Sequence, residues 1–185
     1  GKQKFKRGGI WYTCQSGIWQ SVWLESTPQE YLEKVKITPD YDDSSVSFEY
    51  FGCKDVEVSV FDGDELIAKT KDTTVSIPDF KSWSPESPFL YNLEFKACGE
   101  TIKSYFGMRK FSLGTDKDGV KRLFLNNKPY FHNGLLDQGY YPDGLLTPPA
   151  NEAMEFDIKY VKSAGFNMLR THIKVEPLLW YHYCD

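Results

Sequence analysis

The sequence is poor in the groups that announce the commoner chemistries. It holds 3 histidines and 4 cysteines in 185 residues. Cys14, Cys53, Cys98 and Cys184 are widely and irregularly spaced with no C-x-x-C pair, so no zinc site is expected. Scattered free thiols of this kind suit a reducing compartment and favour the cytoplasm over a periplasmic or extracellular setting. No apolar run approaches the roughly 18 residues of a membrane helix, so no membrane partner is expected. The opening "GKQKFKRGG" is basic, but no apolar signal core follows it. Positive charge is in the minority: 22 Lys and Arg against 26 Asp and Glu give a net charge of -4. That is not the footprint of a nucleic-acid surface. A glycine-rich phosphate loop is missing, as is any supported Ser/His/Asp set. Neither a metal nor another cofactor is implied.

What the chain does have is aromatic side chains: 12 Tyr, 13 Phe and 5 Trp. Core packing accounts for most of them. A flat ring face also suits the C–H face of a pyranose. Hydrophobic residues at 41% and charged residues at 26% are ordinary for a globular protein.

Up to about Leu113 the chain reads as strands. "SGIWQSVWLE" reads as one, entered through Gly17. "YLEKVKITP", "SVSFEYF" and "VEVSVFD" alternate with a period of two, putting Val46, Phe48 and Tyr50 on one face and Val56, Val58 and Val60 on another. "FDGDELIA" carries an Asp-Gly hairpin turn. "TTVSIPDF" and "FLYNLEFKA" continue the pattern, and "GMRKFSL" reads as a last strand. Such short strands with turn signals between them predict an immunoglobulin-like sandwich. Pro85 and Pro88 bar pairing in "SWSPESPFLY", so Trp83 is expected to plug the sandwich edge.

The pattern then changes. "RLFLNNKPYFHNG" reads as a hairpin with an Asn-Asn turn, and "HNGLLDQGYYPDG" as a loop leaving the first tail strand. A helix follows, with Asn151 as N-cap, Met154, Ile158 and Val161 at helical spacing, and Gly165 just past its end. "FNMLRTH" is a strand, and Pro177 opens another helix. Strand, helix, strand, helix start is the opening of an incomplete (β/α)8 barrel. A helix broken off soon after Pro177 leads us to expect an internal piece of a larger enzyme.

The candidate site follows from that placement. Arg170 and His172, two apart at a strand's C-terminal end, share a face and are expected to contact substrate. Asp137, Tyr140 and Tyr141 lie in a loop at the same end and are expected to line the cleft. His132 is expected in the core and His182 in packing beside Trp180. Trp11, Trp19 and Trp23 read as a β-domain core or a domain interface, with a sugar platform as the other account.

The quoted runs, in their order, resemble glycoside hydrolase family 2, the family of β-galactosidases, β-glucuronidases and β-mannosidases. "GIWYTCQSGIWQSVWLE" is similar to the closing strands of its N-terminal sugar-binding jelly roll. "WSPESPFLYNLEF" with "GMRKF" resembles the end of its immunoglobulin-like domain, and "LFLNNKPYFHNG" the opening of its barrel. "AGFNMLRTHIKVEPLLWYHYCD" resembles the second barrel strand and helix. The resemblance implies residues 1–26 as jelly-roll strands, 27–113 as the sandwich and 114–185 as the truncated barrel. It implies a retaining β-glycosidase with two catalytic carboxylates, a carbohydrate substrate and no cofactor. The family takes both glutamates from later barrel strands, so no catalytic residue is assigned here. Arg170 matches the family's arginine near the sugar subsite. "HNGLLDQGYYPDG" departs from the Arg-Gly-x-Asn-Arg-His-like run of well-known members. The chain alone is expected to be inactive and, with an open sheet edge, to self-associate. The rival account is a non-catalytic carbohydrate-binding or structural β-sandwich module.

Overall fold

The computed structural model describes residues 2–6 and 8–185. Gly1 and Arg7, within the expected jelly-roll segment, lie outside them. The chain divides into two compact units, Glu25–Phe131 and Gly1–Leu24 with His132–Asp185.

Near the N-terminus, β1 (Gln3–Lys4) and β2 (Tyr12–Thr13) form a short parallel pair. The segment "SGIWQSVWLE", expected as a strand, carries none. Alternation is only half of a strand, because the ladder also needs a partner, and no described segment pairs with this one.

The larger unit holds β3 (Lys34–Asp40), β4 (Ser45–Phe51), β5 (Val56–Asp62), β6 (Glu65–Thr70), β7 (Thr74–Ser76), β8 (Tyr91–Ala97) and β9 (Glu100–Phe106). They make two antiparallel sheets, ordered β3-β4-β7 and β6-β5-β8-β9. The alternating side chains form the core of this sandwich: Val46 and Phe48 from one sheet, Val58, Val60, Leu93 and Phe95 from the other, all nearly inaccessible to water. Phe48 and Phe95 meet edge to face, with ring centroids 5.6 Å apart. Burying side chains of this size contributes about 1.5–3 kcal/mol each. Gly63 takes a positive φ of 61° in the expected Asp-Gly turn.

Three expectations change here. Strand β9 was not anticipated; its signal is the two-residue Cys98–Gly99 turn, with φ of 51° and 81°, which suits a tight hairpin. "GMRKFSL" is not a sandwich strand. Gly107 lies so close to the Trp83 ring that a Cβ would sit 3.2 Å from it, and Arg109 lies over that ring. The ladder resumes only at β10 (Phe111–Thr115), which pairs with β11 (Lys121–Leu125), itself paired with β12 (Lys128–Pro129). The third change is chemical. Cys53, just past β4, and Cys98 form a disulfide, so these two are not free thiols. A structural bridge belongs to an oxidising setting, which removes the cysteine argument for the cytoplasm. Cys14 and Cys184 are not in disulfides.

Trp83 is buried, as expected. The Asn126–Asn127 turn has φ of 51° and 64°, the left-handed pair that a two-residue hairpin requires. Its side chains tie it to the sandwich: Asn126 Nδ2 donates to the Trp83 carbonyl at 2.9 Å and Asn127 Nδ2 to Asp42 at 2.7 Å.

In the other unit, β13 (Gly134–Asp137) runs parallel to β14 (Met168–Thr171), joined through α1 (Asn151–Ser163). Strand β13 therefore lies inside the stretch expected as loop. Four residues that open on Gly show no alternation; the strand is defined by its neighbour, with Gly134 pressed against Met168. Helix α1 starts one residue earlier than expected: Ala150, not Asn151, is the N-cap and makes no side-chain cap. Met154 is buried beneath it. Its end follows the sequence. Phe166 N–H donates to the Val161 carbonyl and Gly165 N–H to that of Lys162, with Gly165 at φ 89°; this is the Schellman arrangement. Helix α2 (Leu178–Cys184) starts after Pro177 and buries Trp180.

Candidate functional site

The expected residues gather at the C-terminal ends of β13 and β14, in two groups. The register sets Leu136 beside Arg170 and Asp137 beside Thr171. Side chains alternate along a strand, so Arg170 and Asp137 point to opposite faces. Arg170 is exposed. His172 lies one residue past β14, half-buried, and its N–H donates to the Asp137 carbonyl at 2.8 Å. Its Nε2 is 3.3 Å from Lys2 Nζ.

The second group is a buried polar network. One Asp137 carboxylate oxygen accepts the Gly139 N–H at 2.9 Å; the other is buried without a partner. Burial pushes this carboxyl above its usual range, against the pull of the Gly139 N–H and Lys174. Tyr141 donates to Asp157 at 3.4 Å, and burial together with the Asp157, Glu176 and Asp137 carboxylates raises its hydroxyl further. Tyr140 stacks on Tyr12, centroids 5.0 Å apart, and its hydroxyl donates to the Thr13 carbonyl at 3.3 Å.

Two central members were not anticipated. Lys174 and Glu176 form an ion pair at 3.1 Å, with side chains only 5% and 2% exposed. Lys174 Nζ also donates to the carbonyls of Gly139 at 2.6 Å and Leu146 at 3.2 Å. The lysine thus fastens both ends of the loop after β13. Burial raises the Glu176 carboxyl, while the Lys174 hydrogen bond lowers it. Gly139 has φ 52°, and a Cβ there would come within 2.5 Å of both Glu176 and Lys174; only glycine fits. The available signal was a Lys-x-Glu-Pro run directly after a strand. Burial of a charged pair shows in the fold and not in the string.

Other expectations resolve simply. His132 is half-buried, and His182 is exposed instead of packed beside Trp180. Trp11 and Trp23 are 39% and 65% exposed, so they form no core; Trp19 lies near Lys174. Among the described residues no group of three His, Cys, Asp or Glu could hold a metal ion.

Residues 30–109 match the model of glycosyl hydrolases family 2. The β-galactosidase of Lactococcus lactis is 27% identical over 184 residues, covering 92% of this chain and 18% of its own length. That of Photobacterium profundum is 29% identical over 204 residues, covering 92% and 19%. A β-glucuronidase of Faecalibacterium prausnitzii shares the fold with a TM-score of 0.73 at 24% identity, over 85% of this chain and 27% of that one. The chain is thus similar to glycosyl hydrolases family 2 over residues 30–109 and, along most of its length, to part of these β-galactosidases. It spans about a fifth of the length of the curated β-galactosidases it matches.

Proposed function

We propose that this chain is an internal piece of a retaining β-glycoside hydrolase. In this reading residues 1–26 close a sugar-binding jelly roll, 27–113 form the immunoglobulin-like domain and 114–185 open a catalytic (β/α)8 barrel. The observation that carries it is the parallel pair β13–β14 joined through α1, in a chain whose sandwich matches the family. Parallel strands belong to sheets covered on both faces, and two strands alone bury too little to be stable. Leu136 on β13 and Phe156 and Tyr160 on α1 are more than half exposed, which supports further barrel elements packing there.

The parent then hydrolyses a β-glycosidic bond with one carboxyl as general acid/base and another as nucleophile. Both come from strands later than β14, and none from this chain. Arg170 and His172 contact the sugar, and Asp137, Tyr140 and Tyr141 shape the loop beside it. The test compares the full product of the encoding gene with the 185-residue chain on chromogenic β-glycosides. Turnover is expected from the first and none from the second, since a partial barrel cannot position two carboxylates. Turnover by the chain alone, or a full product inert on every β-glycoside, refutes the reading.

The same open edges make the isolated chain self-associate. Light scattering should show mass rising with concentration; a monomer at high concentration contradicts this.

A further inference from the structure

We infer that the exposed apolar face of the β10–β11 ribbon is a seat for the N-terminal end of the (β/α)8 barrel that the rest of this polypeptide completes. Phe111 and Leu113 on β10 lie directly opposite Leu125 and Leu123 on β11. Residues opposite each other, and residues two apart, share a face of the ribbon. Leu125 is buried, but Phe111, Leu113 and Leu123 are 58%, 80% and 50% exposed. The next pair on this face, Thr115 and Lys121, is polar, so the apolar stretch has a defined end. The opposite face is already finished. There the Phe124 ring lies over Gly114, where a Cβ would come within 2.8 Å of it, and Arg122 pairs with Asp116 at 2.9 Å.

The ribbon is held as part of the sandwich. It belongs to the unit Glu25–Phe131. Phe111 meets Trp83 edge-on with ring centroids 6.4 Å apart, Tyr130 donates to Glu86 at 2.6 Å, and Lys110 pairs with Asp42. These ties, with those of the Asn126–Asn127 turn, make the ribbon a bracket fixed to the sandwich, so its apolar face is presented in one place.

Chain connectivity names the occupant. Pro129 ends β12 and Gly134 begins β13. Only residues 130–133 lie between, so the ribbon is tethered within about 18 Å of the N-terminal end of the first parallel strand. A (β/α)8 barrel is filled by layers of apolar side chains, and an apolar cover over the end layer is favourable. This chain spans 18% and 19% of the curated β-galactosidases, which leaves ample chain to supply that layer. A second copy is the poorer occupant. Three side chains of this kind offer a few hundred Å², whereas a standard interface buries about 800 Å² on each partner. A seat within one chain needs less, because the tether already holds the two surfaces near each other. That a barrel follows rests on the reading above; the unfinished face stands apart from it.

Hydroxyl-radical footprinting of the full gene product, read residue by residue by mass spectrometry, tests this. In the native product Phe111, Leu113 and Leu123 should be labelled as little as the core residue Leu93, which is 1% exposed, and strongly once urea unfolds it. The protection should be the same at every dilution. Leu113→Asp should lower the melting temperature of the full product, because it puts a charge into a dry seat. Leu113→Met, apolar and of similar volume, should not. In the 185-residue chain, where Leu113 meets water, neither variant should shift melting. Strong labelling of the three residues in the native full product, or a Leu113→Asp product that melts as wild type, overturns the inference. Protection lost on dilution also overturns it and identifies a second copy as the occupant. Where the Leu113→Asp product does not fold at all, the wild-type footprint decides alone. Turnover of β-glycosides by a product whose face is labelled keeps the glycosidase reading and removes only this one. A protected face without any turnover does the reverse.

Discussion

Lys174→Met is expected to destabilise the β13–β14 unit by about 3–5 kcal/mol, because it removes one partner of a buried ion pair and strands the other. The lysine makes three bonds at once, to Glu176 and to the carbonyls of Gly139 and Leu146. Glu176 already has one oxygen, Oε1, buried without a partner. Without the ammonium both oxygens are unpaired and the loop after β13 loses both fastenings. The effect should depend on pH. The Glu176 carboxyl is raised above its ordinary 4.5, with Lys174 opposing the rise; removing the lysine raises it further. A carboxyl raised in the folded state binds its proton more tightly there than in the unfolded chain. Stability therefore falls as pH climbs from 4.5 through the folded value. The deficit of Lys174→Met should grow across that window and shrink below it. Replacing both members, Lys174→Met with Glu176→Met, should recover most of the loss, since an apolar pair of similar volume is often neutral. Hydrogen exchange of residues 134–185 in increasing urea reads this unit alone. A single-variant change under about 1 kcal/mol would falsify the view that the pair is a buried, structure-setting one.

What could be read from the string and what could not divides along sequence distance. The Asp-Gly and Asn-Asn turns, the alternation in β4, β5 and β8, and the helix end at Gly165 were legible because each is set by neighbours a few residues away. The strand at "SGIWQSVWLE" failed because alternation says nothing about a ladder partner. Strand β13 was missed for the converse reason: its four residues have no pattern, and Met168, far along the chain, makes them a strand. At the site, Arg170, His172, Asp137, Tyr140 and Tyr141 were all placed at one end of the parallel pair by reasoning about strand ends. Their division between two faces needed the register, and the Lys174–Glu176 pair needed burial. The proposed order of domains rests on the resemblance to a family, since periodicity does not contain it.

Loss of the Cys53–Cys98 bridge is the second large effect, about 4 kcal/mol. The two cysteines are 45 residues apart, and closing a loop of that length removes this much chain entropy from the unfolded state. The bridge was invisible in the spacing because four cysteines allow three pairings. Topology selects this one. Cys53 follows β4 in one sheet, and Cys98 turns the β8–β9 hairpin of the other, so the bond staples the sandwich at one end. Cys53 also packs within the core, being only 7% exposed. Oxidised protein should melt at least about 8 °C above Cys53→Ser, taking 2–4 °C per kcal/mol for a chain of this size. Wild-type protein in reductant should melt with the variant, and reductant should leave the variant unmoved. Cys184→Ser, remote from the sandwich, should behave as wild type. Under denaturing, non-reducing conditions, alkylation should tag Cys14 and Cys184 and spare the bridged pair. Four tagged cysteines in oxidised protein, or one melting temperature with and without reductant, would show that the sandwich stands without its staple.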